Sequence, residues 1–128
     1  MPRKSRTHRR PKAPSDLPSA SVVQSLIKLS DFEDFSQQLE SQVHGLVHMW
    51  VGGTMGMIPL AAYDPVFWAH HTMVDRIWYL WQLAHPGAGP HPSLLHTALP
   101  PFPLTVADTL DTAALGYVYA GEVVTSTP

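Results

Sequence analysis

Two histidine clusters set the terms on which this chain can fold. The first reads His44-Gly45-Leu46-Val47-His48, and the second closes the run Asp64-Pro65-Val66-Phe67-Trp68-Ala69-His70-His71. On a helix, residues four apart share one face about one turn apart, so His44 and His48 can turn both imidazoles toward one ion. That spacing alone is a weak sign, because a histidine on an apolar face is more often a hydrogen-bonded core residue. A second helix that brings another imidazole into an apolar, tryptophan-rich setting strengthens it. Three nitrogens from two helices can hold one metal ion. A chain with one such set must borrow or duplicate it to make a pair.

The surrounding pattern is helical. Leu39, Val43, Val47 and Trp50 recur at helical spacing and Gly52-Gly53 ends the run, which predicts a helix over about residues 39–51. Asp64 supplies a cap and Pro65 a first position that needs no N–H. A second helix is therefore predicted from there to about Ala84, ahead of His85-Pro86-Gly87. A shorter helix is expected from Ser21 to Leu29, a loop from Thr54 to Tyr63, and one capped turn at Thr105–Asp108. Thirteen prolines, crowded at both ends and after residue 85, leave the rest irregular. The expected class is mainly α with a proline-rich, irregular C-terminal wrap. So few elements need a partner or a metal to close a core.

The formal charge of −2 hides an asymmetry: Arg3, Lys4, Arg6, Arg9, Arg10 and Lys12 hold six of the eight basic side chains. The expected reading is a solvated, disordered tail over residues 1–18, followed by one domain over residues 19–128. No aromatic side chain interleaves these charges, which disfavours nucleic-acid binding. No apolar run of signal length follows Arg9-Arg10, and no stretch approaches a membrane span. The expected location is cytoplasmic, with export alongside a partner as the alternative. The lack of cysteine removes disulfides and thiolate metal sites.

Several metal chemistries meet at such a histidine set. A zinc protease helix needs Glu directly after the first histidine, where Gly45 stands, so that reading fails. A three-histidine, hydratase-like zinc site matches the ligand count, and copper suits an all-imidazole set at least as well. Adjacent residues on a helix point about 100° apart, so only one of His70 and His71 is expected at the ion. Periodicity does not decide which. His85, His91 and His96 lack helical spacing and read as surface residues, while Met49, Met55, Met57 and Met73 read as packing.

The run from Leu39 to Gln82 resembles the second copper-binding half of the tyrosinases, catechol oxidases and molluscan-type haemocyanins, the type 3 copper proteins. Leu39-Glu40, His44, His48, Val51-Gly52-Gly53, Met55, Asp64-Pro65-Val66-Phe67-Trp68, His70-His71, Val74-Asp75-Arg76 and Trp78 carry it. Pro101-Phe102, Asp108, Leu110 and Leu115-Gly116-Tyr117-Val118-Tyr119 extend it, to cover about residues 19–121. The resemblance implies His44, His48 and His71 as copper ligands, the last because the family sets its ligand four residues before the Asp, here Asp75. It makes His70 a supporting or packing residue, and Asp64 and Asp75-Arg76 structural. By the same resemblance Glu40 is the candidate catalytic base, and Gly45 stands where members active on monophenols often carry Asn. Ile58 falls at the position of a residue that gates the copper. The ordinary alternatives are a surface carboxylate for Glu40 and loop packing for Ile58.

Members of that family carry a further three-histidine segment upstream, whereas only His8 precedes His44 here. The resemblance therefore implies half of a tyrosinase-like helical bundle, completed by two-fold dimerisation, with one copper per chain and two per dimer. With O2 as co-substrate and a phenolic small molecule as substrate, such a site implies oxidation of o-diphenols to o-quinones. Its extension is the ortho-hydroxylation of monophenols. The competing classes are reversible oxygen binding and a non-catalytic copper-binding subunit that needs a second, different chain.

Overall fold

Short polar side chains open the helices. Ser19 accepts the Val22 N–H at 3.3 Å and starts α1, Ala20–Ile27; Asp31 accepts the Asp34 N–H at 3.0 Å and starts α2, Phe32–Leu39. Helix α2 passes through a π turn, Glu40–His44, directly into α3, Gly45–Val51. The helix expected over residues 39–51 is thus the second part of a longer rod. In the computed structural model, which describes residues 6–120, the rod has an identifiable cause. Phe35, Leu39, Val43 and Val51 are buried and Val47 is half-buried, a strict repeat of four. An α-helix turns about 100° per residue, so each four-residue step overshoots by about 40° and the stripe would wind off the core. The π turn closes one residue later, with the Gly45 N–H on the Glu40 carbonyl, and takes up that drift.

Helix α4, Val66–Ala84, matches its expected span. The Asp64 carboxylate accepts the Val66 N–H at 2.9 Å, as the cap reading required. The main core joins Leu26 of α1, the rod's Phe35, Leu39 and Val43, and Ile77 and Trp81 of α4. Trp81 has no exposed surface, stacks on Phe35 at 5.0 Å and donates its indole N–H to the Leu29 carbonyl at 2.7 Å. A second cluster of Val51, Met55 and Ala61, with Val66 and Phe67 against it, lies where the rod ends. His85 departs from the surface reading. It is half-buried against Trp81 and donates from Nε2 to the Ile27 carbonyl at 2.7 Å, which satisfies an acceptor at the end of α1.

The basic segment also departs from expectation. Over its described residues it lies along the end of the rod rather than loose in solvent. The Arg10 N–H donates to the Val51 carbonyl at 2.8 Å, the Lys12 N–H to that of Trp50 at 3.1 Å, and the Thr54 N–H to that of His8 at 2.8 Å. Trp50 donates its indole N–H to the Ala13 carbonyl at 2.8 Å. Gly53 admits this approach: its φ is +54°, and a Cβ there would stand 2.1 Å from the His8 carbonyl oxygen. Main-chain groups dock the segment, and charge patterning does not report them.

The chain divides into two compact units, one ending at Ala88 and the other beginning at Gly89. The boundary expected at residues 18 and 19 therefore falls inside the first unit. Among its described residues the second unit is irregular, with a bridge between Ala98 and Thr105 and short turns at Pro92–Leu94 and Ala107–Thr109. As the sequence suggested, Asp108 caps its turn by accepting the Thr105 N–H and hydroxyl, each at 2.8 Å, and these bonds hold its carboxyl below the usual range. Among the described residues the fold is mainly helical, and no helix is long and apolar enough to cross a membrane.

Candidate metal centre

The π turn and α3 present Glu40, His44 and His48 at four-residue intervals, and α4 presents His70 and His71 opposite them. Ring centroids lie 4.8 Å apart for His44–His48, 5.0 Å for His44–His71 and 5.2 Å for His48–His70. Four imidazoles therefore form one cluster.

Their hydrogen bonds sort them. His44 Nδ1 lies 2.6 Å from Glu40 Oε2, His48 Nδ1 lies 2.8 Å from the Met55 carbonyl, and His71 Nδ1 lies 2.7 Å from the Phe67 carbonyl. A carbonyl or carboxylate oxygen only accepts, so each Nδ1 carries its hydrogen and each neutral ring keeps a lone pair on Nε2. His44 Nε2 and His71 Nε2 then face each other at 3.1 Å. Two lone pairs at that distance repel unless a proton or a cation stands between them. The same separation suits two nitrogens about 100° apart on one ion with bonds of about 2.0–2.1 Å. Ligand histidines whose other ring nitrogen is bound by an oxygen are the usual way a protein orients an imidazole at a metal. The donor set fits a copper or zinc ion.

His70 differs from the other three. It is only 8% exposed, and its Nε2 lies 3.0 Å from the carbonyl oxygen of His44, so Nε2 carries the hydrogen and donates. Burial pushes its pKa down to about 4, against the His44 carbonyl and with help from the neighbouring imidazoles, so it is neutral at pH 7. By distance alone His70 also qualifies as a ligand, since His44, His48 and His70 each offer a nitrogen within 4.8 Å of the others. Distance and hydrogen bonding thus favour different third ligands. His71 turns its free Nε2 onto that of His44, whereas His70 keeps its lone pair on Nδ1.

A cavity of about 510 Å³ opens onto Glu40, His44, His48 and His71, with Gly45 and Ile58 in its lining. Ile58 is 95% exposed, at the edge of this space rather than packed in a loop core. Phe67 stacks on His71 at 3.9 Å and narrows the approach to that ring. Glu40 is exposed and engaged with His44, and Gly45 is half-buried, its place for a Cβ 3.2 Å from the Glu40 carbonyl. Asp75 lies half-buried one turn beyond His71 on α4. The sequence reading missed the Met55 and Phe67 carbonyls, which no side-chain pattern marks. It also missed Arg9, which grips the fully buried Asp64 through two bonds of 2.9 and 2.6 Å and holds that carboxyl below its ordinary range.

Across residues 2–84 the chain matches the family model described as the common central domain of tyrosinase. The match begins ahead of residue 19 and takes in the basic segment. Over 89 residues the chain is 38% identical to a tyrosinase of Streptomyces glaucescens, a stretch covering 58% of this chain and 31% of that protein. It is 40% identical over 92 residues to tyrosinase HcTyr1 of Hahella sp. (strain CCB-MM4), covering 64% and 19%. It is 33% identical over 125 residues to hemocyanin 1 of Megathura crenulata, covering 77% and 4%. The chain thus spans about a third or less of the length of these curated relatives.

Proposed function

This chain belongs to the tyrosinase family, and from that premise we propose that it holds copper through His44, His48 and His71 and serves the oxidation of o-diphenols to o-quinones by O2. The observation that carries this reading is the common state of the three rings. Each Nδ1–H is engaged by an oxygen, and each Nε2 is left for an ion. Copper bound there supplies one-electron redox chemistry and an open position for small ligands.

The chain's own residues do the rest. Glu40 fixes the tautomer and direction of His44 through its Oε2. Met55 and Phe67 do the same for His48 and His71 through backbone oxygens, which do not titrate. The cavity is the space into which a phenolic ring fits, with Ile58 at its edge and the Phe67 ring beside His71. Diphenol oxidation is favoured over monophenol hydroxylation. The second reaction needs a group to take the phenol proton, and here Glu40 is committed to His44 while Gly45 offers no side-chain amide.

A pair of coppers needs six imidazoles, and the described cluster offers one set of three with His70 beside it. We assign the other set to a second copy of the chain related by a two-fold axis, one copper per chain. A second reading is favoured by the haemocyanin relative: reversible O2 binding without turnover, or service as the copper-binding partner of a different chain. Copper loading of the purified chain, followed by copper analysis, sedimentation and O2 uptake with catechol, separates these readings. One copper per chain, a dimer and sustained uptake are expected. Copper bound by a monomer without uptake would leave the second reading standing.

A further inference from the structure

We propose that His70 is a positioning residue rather than a ligand: it fastens the π turn that carries His44 onto α4, through its Nε2–H bond to the His44 carbonyl. The proposal rests on the reading that His44, His48 and His71 take the ion, and it assigns the fourth imidazole a separate task. A π turn disturbs the regular ladder of the helix and leaves its local geometry dependent on neighbours. His44 is the last residue of that turn, and its carbonyl receives the His70 Nε2–H at 3.0 Å from a different helix. The contact therefore ties the rod to α4 at the point where the imidazoles must meet.

Ring geometry argues against His70 at the ion. The His70 and His44 rings are stacked, 5.6 Å apart with an 11° interplanar angle. Imidazole lone pairs lie in the ring plane, so two stacked rings send theirs along parallel planes instead of toward one point. The His71 ring stands at 75° to that of His44 and its Nε2 is already at 3.1 Å. His70 Nε2 is also committed to the carbonyl, so only its Nδ1 is left with a lone pair.

Three versions of the full chain test this, wild type, His70→Gln and His70→Leu, with His71→Gln as the control for a lost ligand. The glutamine amide can place an N–H where Nε2 stood, and leucine cannot. With cupric ion, His70→Gln is expected to keep the wild-type affinity within about threefold and the same electron paramagnetic resonance signature. His70→Leu is expected to bind about 10- to 100-fold more weakly, the range seen when an outer-shell partner is removed. If His70→Gln loses copper as completely as His71→Gln, His70 is a ligand and the proposal falls. A metal-free measurement keeps it separate from the copper reading. Amide exchange over Gly45–His48 should rise at least about tenfold in His70→Leu and stay near wild type in His70→Gln. Equal exchange in all three chains overturns the tie whatever copper does. Wild type that binds no copper, with the exchange pattern as expected, would strike the copper reading and leave the tie in place.

Discussion

At the scale of single residues, the identity of a histidine matters less than which of its nitrogens is already taken. His44 and His48 were legible as a pair because helix geometry fixes what four-residue spacing does. Which of His70 and His71 turns a ring nitrogen toward that of His44 was not legible, since one bonds a carbonyl and the other faces the His44 Nε2. Glu40 shows the same limit. The sequence offers a carboxylate near the site, and only the structure shows it holding His44. Glu40→Gln should retain most copper affinity, because the amide oxygen still accepts the Nδ1–H, whereas Glu40→Ala should weaken it about 10-fold or more. Competition with a chelator of known strength measures both. A second expectation concerns acid. Asp64 has its folded pKa lowered, chiefly by Arg9, so the stability it contributes is complete above its unfolded pKa of about 3.9 and is lost as pH falls through the lower folded value. Arg9→Ala raises that folded pKa and should move the acid unfolding midpoint upward, with a Tm several degrees lower at pH 7. Circular dichroism against pH, wild type beside variant, reads the shift.

Among the elements, α4 was the most legible, because an Asp-Pro start and a His-Pro-Gly stop bracket an uninterrupted apolar pattern. The rod was half legible. Its apolar stripe is plain in Leu39, Val43 and Val47, yet the π turn follows only from noticing that the repeat is four rather than a mixture of three and four. In the basic segment, nothing in the charge pattern reports that Arg10 and Lys12, with exposed side chains, pair through their backbones. Gly53 is the element's weak point. Gly53→Ala places a methyl carbon in conflict with the His8 carbonyl at a backbone angle that alanine resists. The expected result is release of the segment, read as faster tryptic cleavage after Arg9 and Lys12 than in wild type. Unchanged cleavage would show that the segment docks without this close approach.

For the molecule as a whole, the helical class and the family could be read in advance, but not the division at Ala88. Proline content marks where regular structure ends without saying where one packed unit stops. All four clustered imidazoles and both apolar clusters fall before that division. A chain ending at Ala88 is therefore expected to melt cooperatively and to bind copper within about threefold of the full chain, by calorimetry and chelator competition. The π turn adds a constraint of another sort, one of phase. The rod uses one stripe for the core and an adjacent one for Glu40, His44 and His48, and the wide turn keeps both in step. Substitution at exposed Ser41 or Gln42 leaves that timing intact. Deleting either residue does not, because everything beyond it rotates by about 100° relative to Phe35 and Leu39. His44 and His48 then sweep away from His71, so the centre tolerates a change of letter here and not a change of count.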